Sequence, residues 1–117
     1  MGFDLPKTLR LPYPPSTNNL YATVRGRRVL SREGRAFKQA AATIAYAAGF
    51  RPVEHDVSVT VRVYRPAKRG DLDGKLKAVL DSLTGVAWND DRQVTHIEAF
   101  RFEDKADPRV EIEIKAA

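Results

Sequence analysis

The 117-residue sequence contains no cysteine. Disulfides, thiolate nucleophiles and zinc–thiolate sites are therefore excluded. Only two histidines are present, His55 and His96, which argues against a histidine-based zinc site. No apolar run approaches the roughly 20 residues of a membrane-spanning helix. The N-terminus lacks the basic-then-apolar pattern of a signal peptide. These absences lead to the expectation of a cytoplasmic protein with no membrane contact. No internal repeat, low-complexity tract or linker breaks the chain, and its length suits a single domain over residues 1–117 with one modest core. Acidic residues are the minority, 15 Asp and Glu against 20 Lys and Arg, for a net charge of +5. That balance suits a polyanionic partner.

The scarce acids are clustered. Asp71 and Asp73 lie in the stretch Arg69-Gly70-Asp71-Leu72-Asp73-Gly74-Lys75-Leu76-Lys77, and Asp90 and Asp91 follow Trp88-Asn89. Before the first cluster, Val57, Val59, Val61 and Val63 alternate with polar residues, the period of a strand with one buried face. Pro66 ends that strand. Leu72, Leu76, Val79, Leu80 and Leu83 then recur at helical spacing, with Asp73 as the expected N-cap and Asp71 just outside. Asp73, Lys77 and Asp81 share one helix edge. Asp71 and Asp73, two apart, can point into one pocket. Clustered carboxylates repel each other unless a cation neutralises them. Oxygen ligands suit Mg²⁺ or Mn²⁺, and Asp90 or Asp91 would supply a third. Such a metal polarises a phosphoryl group, and Lys77 could contact the phosphate. The plainer alternative makes Asp73 a cap, Asp71 a turn residue and Asp73–Lys77 an exposed ion pair. Arg65, Lys68 and Arg69 form a basic approach to the pocket, fit to guide a phosphodiester in.

Elsewhere, Thr8 to Leu11 reads as a first strand with Leu9 and Leu11 inward, stopped by Pro12, Pro14 and Pro15. Ser16, Thr17, Asn18 and Asn19 make a surface turn or a loop lining a phosphate site. Tyr21 to Leu30 reads as a hairpin turning at Arg25-Gly26-Arg27, where Arg25, Arg27 and Arg28 are either a solvated tip or a contact to a DNA backbone. Ser31 is an N-cap with Glu33 in the first turn of a scaffold helix that runs to about Ala48 and stops at Gly49. Its Phe37, Ala40, Ala41, Ile44 and Ala48 form a stripe. Trp88 is expected to be partly buried and to anchor the Asp90-Asp91 loop, with base stacking as the lesser option. Val94 to Phe102 and Arg109 to Ile114 read as a closing antiparallel pair joined by a turn at Asp104 to Pro108. His55 and His96 are expected to be solvated or packed. The whole is a compact α+β domain, a mixed sheet packed with two principal helices.

The string Asp71-Leu72-Asp73-Gly74-Lys75-Leu76-Lys77-Ala78-Val79-Leu80-Asp81-Ser82-Leu83-Thr84, followed by Trp88-Asn89-Asp90-Asp91-Arg92-Gln93-Val94, resembles the RusA family of Holliday junction resolvases. So does Leu11-Pro12-Tyr13-Pro14-Pro15-Ser16-Thr17-Asn18-Asn19. The resemblance covers nearly the whole chain. It implies a small homodimeric endonuclease that cuts four-way DNA junctions with Mg²⁺ (Mn²⁺ as substitute) by paired symmetric cleavage, in recombination and repair and often in phage or prophage settings. By that resemblance the catalytic carboxylates are Asp71, Asp73 and Asp91, the essential lysine is Lys77, and Asp90 completes the metal set. DNA would be held by Arg65, Lys68, Arg69, Lys75, Arg25, Arg27, Arg28, Asn18 and Asn19. One departure is Gly74, where the family commonly carries Asn; any hydrogen bond from that side chain is lost. Two rival readings stay open: a non-catalytic basic DNA-binding module, and a metal-dependent nuclease on other branched DNA.

Overall fold

The computed structural model describes residues 7–67 and 72–117, the side chains of residues 17, 18 and 73 excepted. The elements in order are β1 (Lys7–Pro12), a single-turn helix α1 (Thr17–Leu20), β2 (Tyr21–Val24), β3 (Arg27–Leu30), α2 (Arg32–Ala47), β4 (Val57–Arg65), α3 (Leu72–Leu83), a 3₁₀ turn (Asp91–Gln93), β5 (Val94–Glu103) and β6 (Arg109–Ala116). The fold is α+β, with α2 and α3 as its principal helices.

The main sheet has the order β1-β6-β4-β5. Its spine is β4, whose Val57, Val59, Val61 and Val63 are all fully buried. Alternate residues of three strands meet in rungs: Leu9, Ile112 and Val61 in one, Leu11, Val110 and Val63 in the next. Each such side chain removed from water contributes about 1.5–3 kcal/mol. The helices cover this apolar face. From α2 the residues Gly34, Phe37, Ala41 and Ala45 are buried, and from α3 Ala78, Val79 and Leu83. Ser31 caps α2 by accepting from the Gly34 amide, with Glu33 in the first turn. The helix ends through Ala48 and Gly49, whose φ of 92° suits glycine. Of the expected stripe, Phe37 and Ala41 are buried, Ala40 and Ile44 half-buried and Ala48 exposed.

Two sequence expectations are corrected. The strands β5 and β6 are not neighbours. β4 lies between them, parallel to β5 and antiparallel to β6. The clean Val110-Ile112-Ile114 alternation of β6 completes the apolar rungs of β4 and β1. β5 carries charge on both faces (Glu98 on one, Arg101 on the other), which suits a sheet edge. Residues 104–108 therefore cross the end of β4, held there by the Asp104 amide donating to the Arg65 carbonyl at 2.8 Å. Arg109 locks the same loop, reaching Asp104 at 2.8 Å and Glu111 at 2.7 Å. The second correction is that α3 begins at Leu72, so Asp73 lies inside its first turn and is not the cap.

The hairpin turns as expected, with Arg25 (φ 52°) and Gly26 (φ 75°) both left-handed at its tip. Such a pair matches the twist of a tight two-residue turn.

Candidate active site

The Asp90-Asp91 segment is shaped by Trp88. That side chain is fully buried, its Nε1 donating to Thr84 Oγ1 at 3.1 Å, and its backbone bridges both Val53 and Thr84. It anchors the loop, and its burial removes the base-stacking option. From this anchor the chain emerges into the 3₁₀ turn. Asp90 caps the turn, its carboxylate accepting from the Arg92 amide at 3.0 Å and lying 3.3 Å from the Arg92 guanidinium. The Arg92 backbone N–H, then its side chain, then a hydrogen bond with Asp91, hold the Asp90 carboxyl down at about 2. Asp90, expected as a metal ligand, here serves the turn. Asp91, the first residue of the turn, is exposed.

Asp91 stands at the lip of an open cavity of about 380 Å³ between the hairpin, α2 and α3. The walls include the apolar Leu20, Leu30, Phe37 and Ala78, with Tyr21, Lys38, Asp81, Ser82 and Thr84 adding polar groups. Asp81 joins this cavity to Lys77, whose ammonium lies 3.3 Å from it. The hydrogen bond to Asp81 and the charge of that carboxylate raise the Lys77 pKa, with the nearby Arg28 opposing them. Arg28 stacks on the Tyr21 ring at 4.2 Å. The hairpin tip is exposed throughout, so Arg25 and Arg27 face solvent, at the opposite end of the hairpin from the Tyr21–Leu30 pair that lines the cavity.

Lys75 and Arg65 turn inward. Lys75 is buried, its Nζ donating to the Pro14 and Pro15 carbonyls at 3.0 Å each and lying 4.6 Å from the Tyr13 ring centre. It fixes the proline loop and does not face DNA as expected. The Arg65 side chain is 13% exposed and 4.0 Å from Glu103. Its Nε has no hydrogen-bond partner among the described residues. Lys68, Arg69 and Asp71 lie outside the described residues, as do the side chains of Asn18 and Asp73. Asn19 is exposed, its amide donating to the Ser16 hydroxyl. His55 binds the Asp56 carbonyl and His96 lies 3.4 Å from Glu98, both exposed and neither lining the cavity.

The topology separates the two acid motifs. β5 starts opposite Val57, the first residue of β4, whereas α3 starts beyond the last, Arg65. Asp91 thus lies beside Asp81, Ser82 and Thr84 at the far end of α3, while Asp73 is in its first turn. At about 1.5 Å per residue, Asp73 and Asp81 alone are about 12 Å apart along the axis. Among the described residues, no three acidic or metal-ligating side chains come close enough to hold one ion. The donor chemistry still fits a hard cation: the motif acids offer carboxylate oxygens, the chain has no thiol, and both imidazoles lie elsewhere.

Sequence reasoning missed Gln93. Its Oε1 accepts from the Asn89 and Asp90 amides at 2.8 Å each, and its Nε2 donates to the Val53 and His55 carbonyls at 2.7 and 2.9 Å. The only local signal was a Gln three residues after an Asp, the spacing of a capping box.

Comparison with known proteins covers the same segments. Residues 12–115 match the family model described as endodeoxyribonuclease RusA. The crossover junction endodeoxyribonuclease RusA of Escherichia coli strain K12 is 33% identical over 110 residues, 92% of both chains. The protein of that name from enterobacteria phage 82 is 32% identical over 109 residues, 91% of both chains. The one from Shigella sonnei is 32% identical over 110 residues, again 92% of both.

Proposed function

The chain belongs to the RusA endodeoxyribonuclease family, and from that premise we propose that it is a Mg²⁺-dependent endonuclease that resolves four-way DNA junctions by paired symmetric cuts. The observation that carries the reading is the match over residues 12–115, which spans both acid motifs and the lysine between them. Asp71, Asp73 and Asp91 would hold the cation, which would polarise a phosphoryl oxygen and lower the pKa of bound water. Lys77, kept charged by Asp81, stabilises the negative charge that builds on the phosphate. Arg25, Arg27 and Arg28 hold the DNA backbone, joined by Lys68 and Arg69, which precede Asp71 in the sequence, and by Asn18 and Asn19, which follow the prolines.

We further propose a homodimer in which Asp91 of one copy meets Asp71 and Asp73 of the other. The support is the length of α3. A rigid helix cannot shorten to bring its first turn to Asp91, but a two-fold axis can bring a second copy's helix start there, once for each strand to be cut.

Junction cleavage by mixed variants tests both parts. Asp73→Asn and Asp91→Asn should each bind a four-way junction and fail to cut it. Mixed and re-equilibrated, they should regain nicking, because one of the two shared sites is then intact. No recovery on mixing would overturn the shared site. Wild-type cutting of linear duplex or of other branched DNA in preference to the four-way junction would overturn the resolvase reading.

A further inference from the structure

We propose that Gln93 is the positioning residue for Asp91: its side-chain amide, not its own reactivity, decides where the Asp91 carboxylate is presented. The inference rests on the nuclease reading above.

A glutamine amide has two N–H donors and two acceptor lone pairs. Gln93 uses all four. Both donors go to carbonyls of the 53–55 segment, at 2.7 Å to Val53 and 2.9 Å to His55. Both acceptor sites take backbone N–H groups of the Asp91 loop, each at 2.8 Å, from Asn89 and Asp90. Only one orientation of the amide satisfies all four partners, so the assignment of its oxygen and nitrogen follows from the partners themselves. The 53–55 segment is itself fixed to the core. The Val53 amide donates to Ala87 at 3.2 Å, Val53 pairs with Trp88, and both Val53 and Trp88 are buried. Gln93 therefore ties an exposed acidic turn, through one side chain, to a segment anchored at the buried Val53. Asp90 and Gln93 also close a reciprocal capping box around the turn, with Asp91 between them.

The chemistry needs this. A carboxylate on a surface turn serves a cation only if it is held to within about half an ångström of its place. Removing a group that orients a metal ligand commonly costs about 10–100-fold in metal affinity or activity. Asp90 and Arg92 cannot substitute, since their bonds to each other stay within the turn.

The test uses the full-length protein with Gln93→Ala and Gln93→Glu; the glutamate keeps the shape but turns an oxygen toward two carbonyls. Single-turnover cleavage of a four-way junction should fall about 10–100-fold, with a higher half-saturating Mg²⁺ concentration. Junction affinity in EDTA should stay within about twofold of wild type. Amide hydrogen exchange should accelerate at residues 89 and 90 while β4 and β6 stay protected. Unchanged cleavage and unchanged metal dependence would overturn the proposal. So would equal loss of protection across β4 and β6, which would make Gln93 a fold-holding residue. A wild-type protein that cuts no junction would instead sink the nuclease reading, and hydrogen exchange would still decide whether Gln93 orders the turn.

Discussion

Lys75 and Lys77 are two residues apart, and a helix turns about 200° between them. Lys75 faces the interior and pins the Pro14 and Pro15 carbonyls, whereas Lys77 faces solvent beside Asp81. Lys75→Met should remove a donor that both carbonyls use and cost about 1–3 kcal/mol by urea denaturation. Lys77→Met should leave stability within about 0.5 kcal/mol and lose cleavage. The sequence shows both lysines at helical positions. Which one turns inward depends on a loop some sixty residues earlier, and spacing within α3 carries no trace of it. Asp90 yields a pH prediction. Its pKa in the fold is depressed from 3.8 to about 2, so its contribution is present above pH 3.8 and is lost as pH falls through 2. In metal-free buffer the melting temperature of wild type should therefore approach that of Asp90→Asn as pH falls from 4 to 2. Asn is also a good cap, so Asp90→Asn should keep most of its cleavage, whereas a ligand's loss would abolish it.

At the scale of elements, most of the patterns that can be read locally are ones the chain obeys, the Asp73 cap being the exception. The valine alternation of β4, the Ser31 cap, the Gly49 stop and the Arg25-Gly26 turn all sit where spacing puts them. Strand partners were a different matter. β5 and β6 follow each other closely, which favours a hairpin as a first guess, yet β4 lies between them and pairs with both along almost its whole length, parallel to β5 and antiparallel to β6. The site inherits this rule, because β4–α3–β5 is a crossover and a crossover carries its two ends apart. The start of α2 also makes a strong demand. A Cβ on Gly34 would run into the Leu20 carbonyl, well inside van der Waals distance. Gly34→Ala, which would favour an isolated helix by about 1 kcal/mol, should here destabilise by about 1–3 kcal/mol in denaturant titration.

For the whole molecule, charge placement matters more than net charge. The +5 balance gains a local focus in the exposed arginines of the hairpin. Arg25→Gln combined with Arg27→Gln should weaken junction binding at low salt. It should also reduce the slope of log affinity against log salt by about 0.9 for each phosphate no longer neutralised, measured by anisotropy titrations in EDTA. The family and the acid motifs were readable from residue order alone. The distance between those motifs was not, because it depends on the register of β5 against β4.

The strand order β1-β6-β4-β5 has a consequence for the chain as it is being made. β1 has one partner, and that partner is β6, from Arg109 onward. During synthesis at about 5–20 residues per second, β1 waits roughly 5–20 seconds before its partner exists. Over that interval Leu9 and Leu11 have no rung to join, even once β4 has been made. The β1 edge of the sheet is therefore closed only after β6 has been made, and a ribosome stalled before residue 109 would display a nascent chain whose first strand is still open to chaperones and proteases.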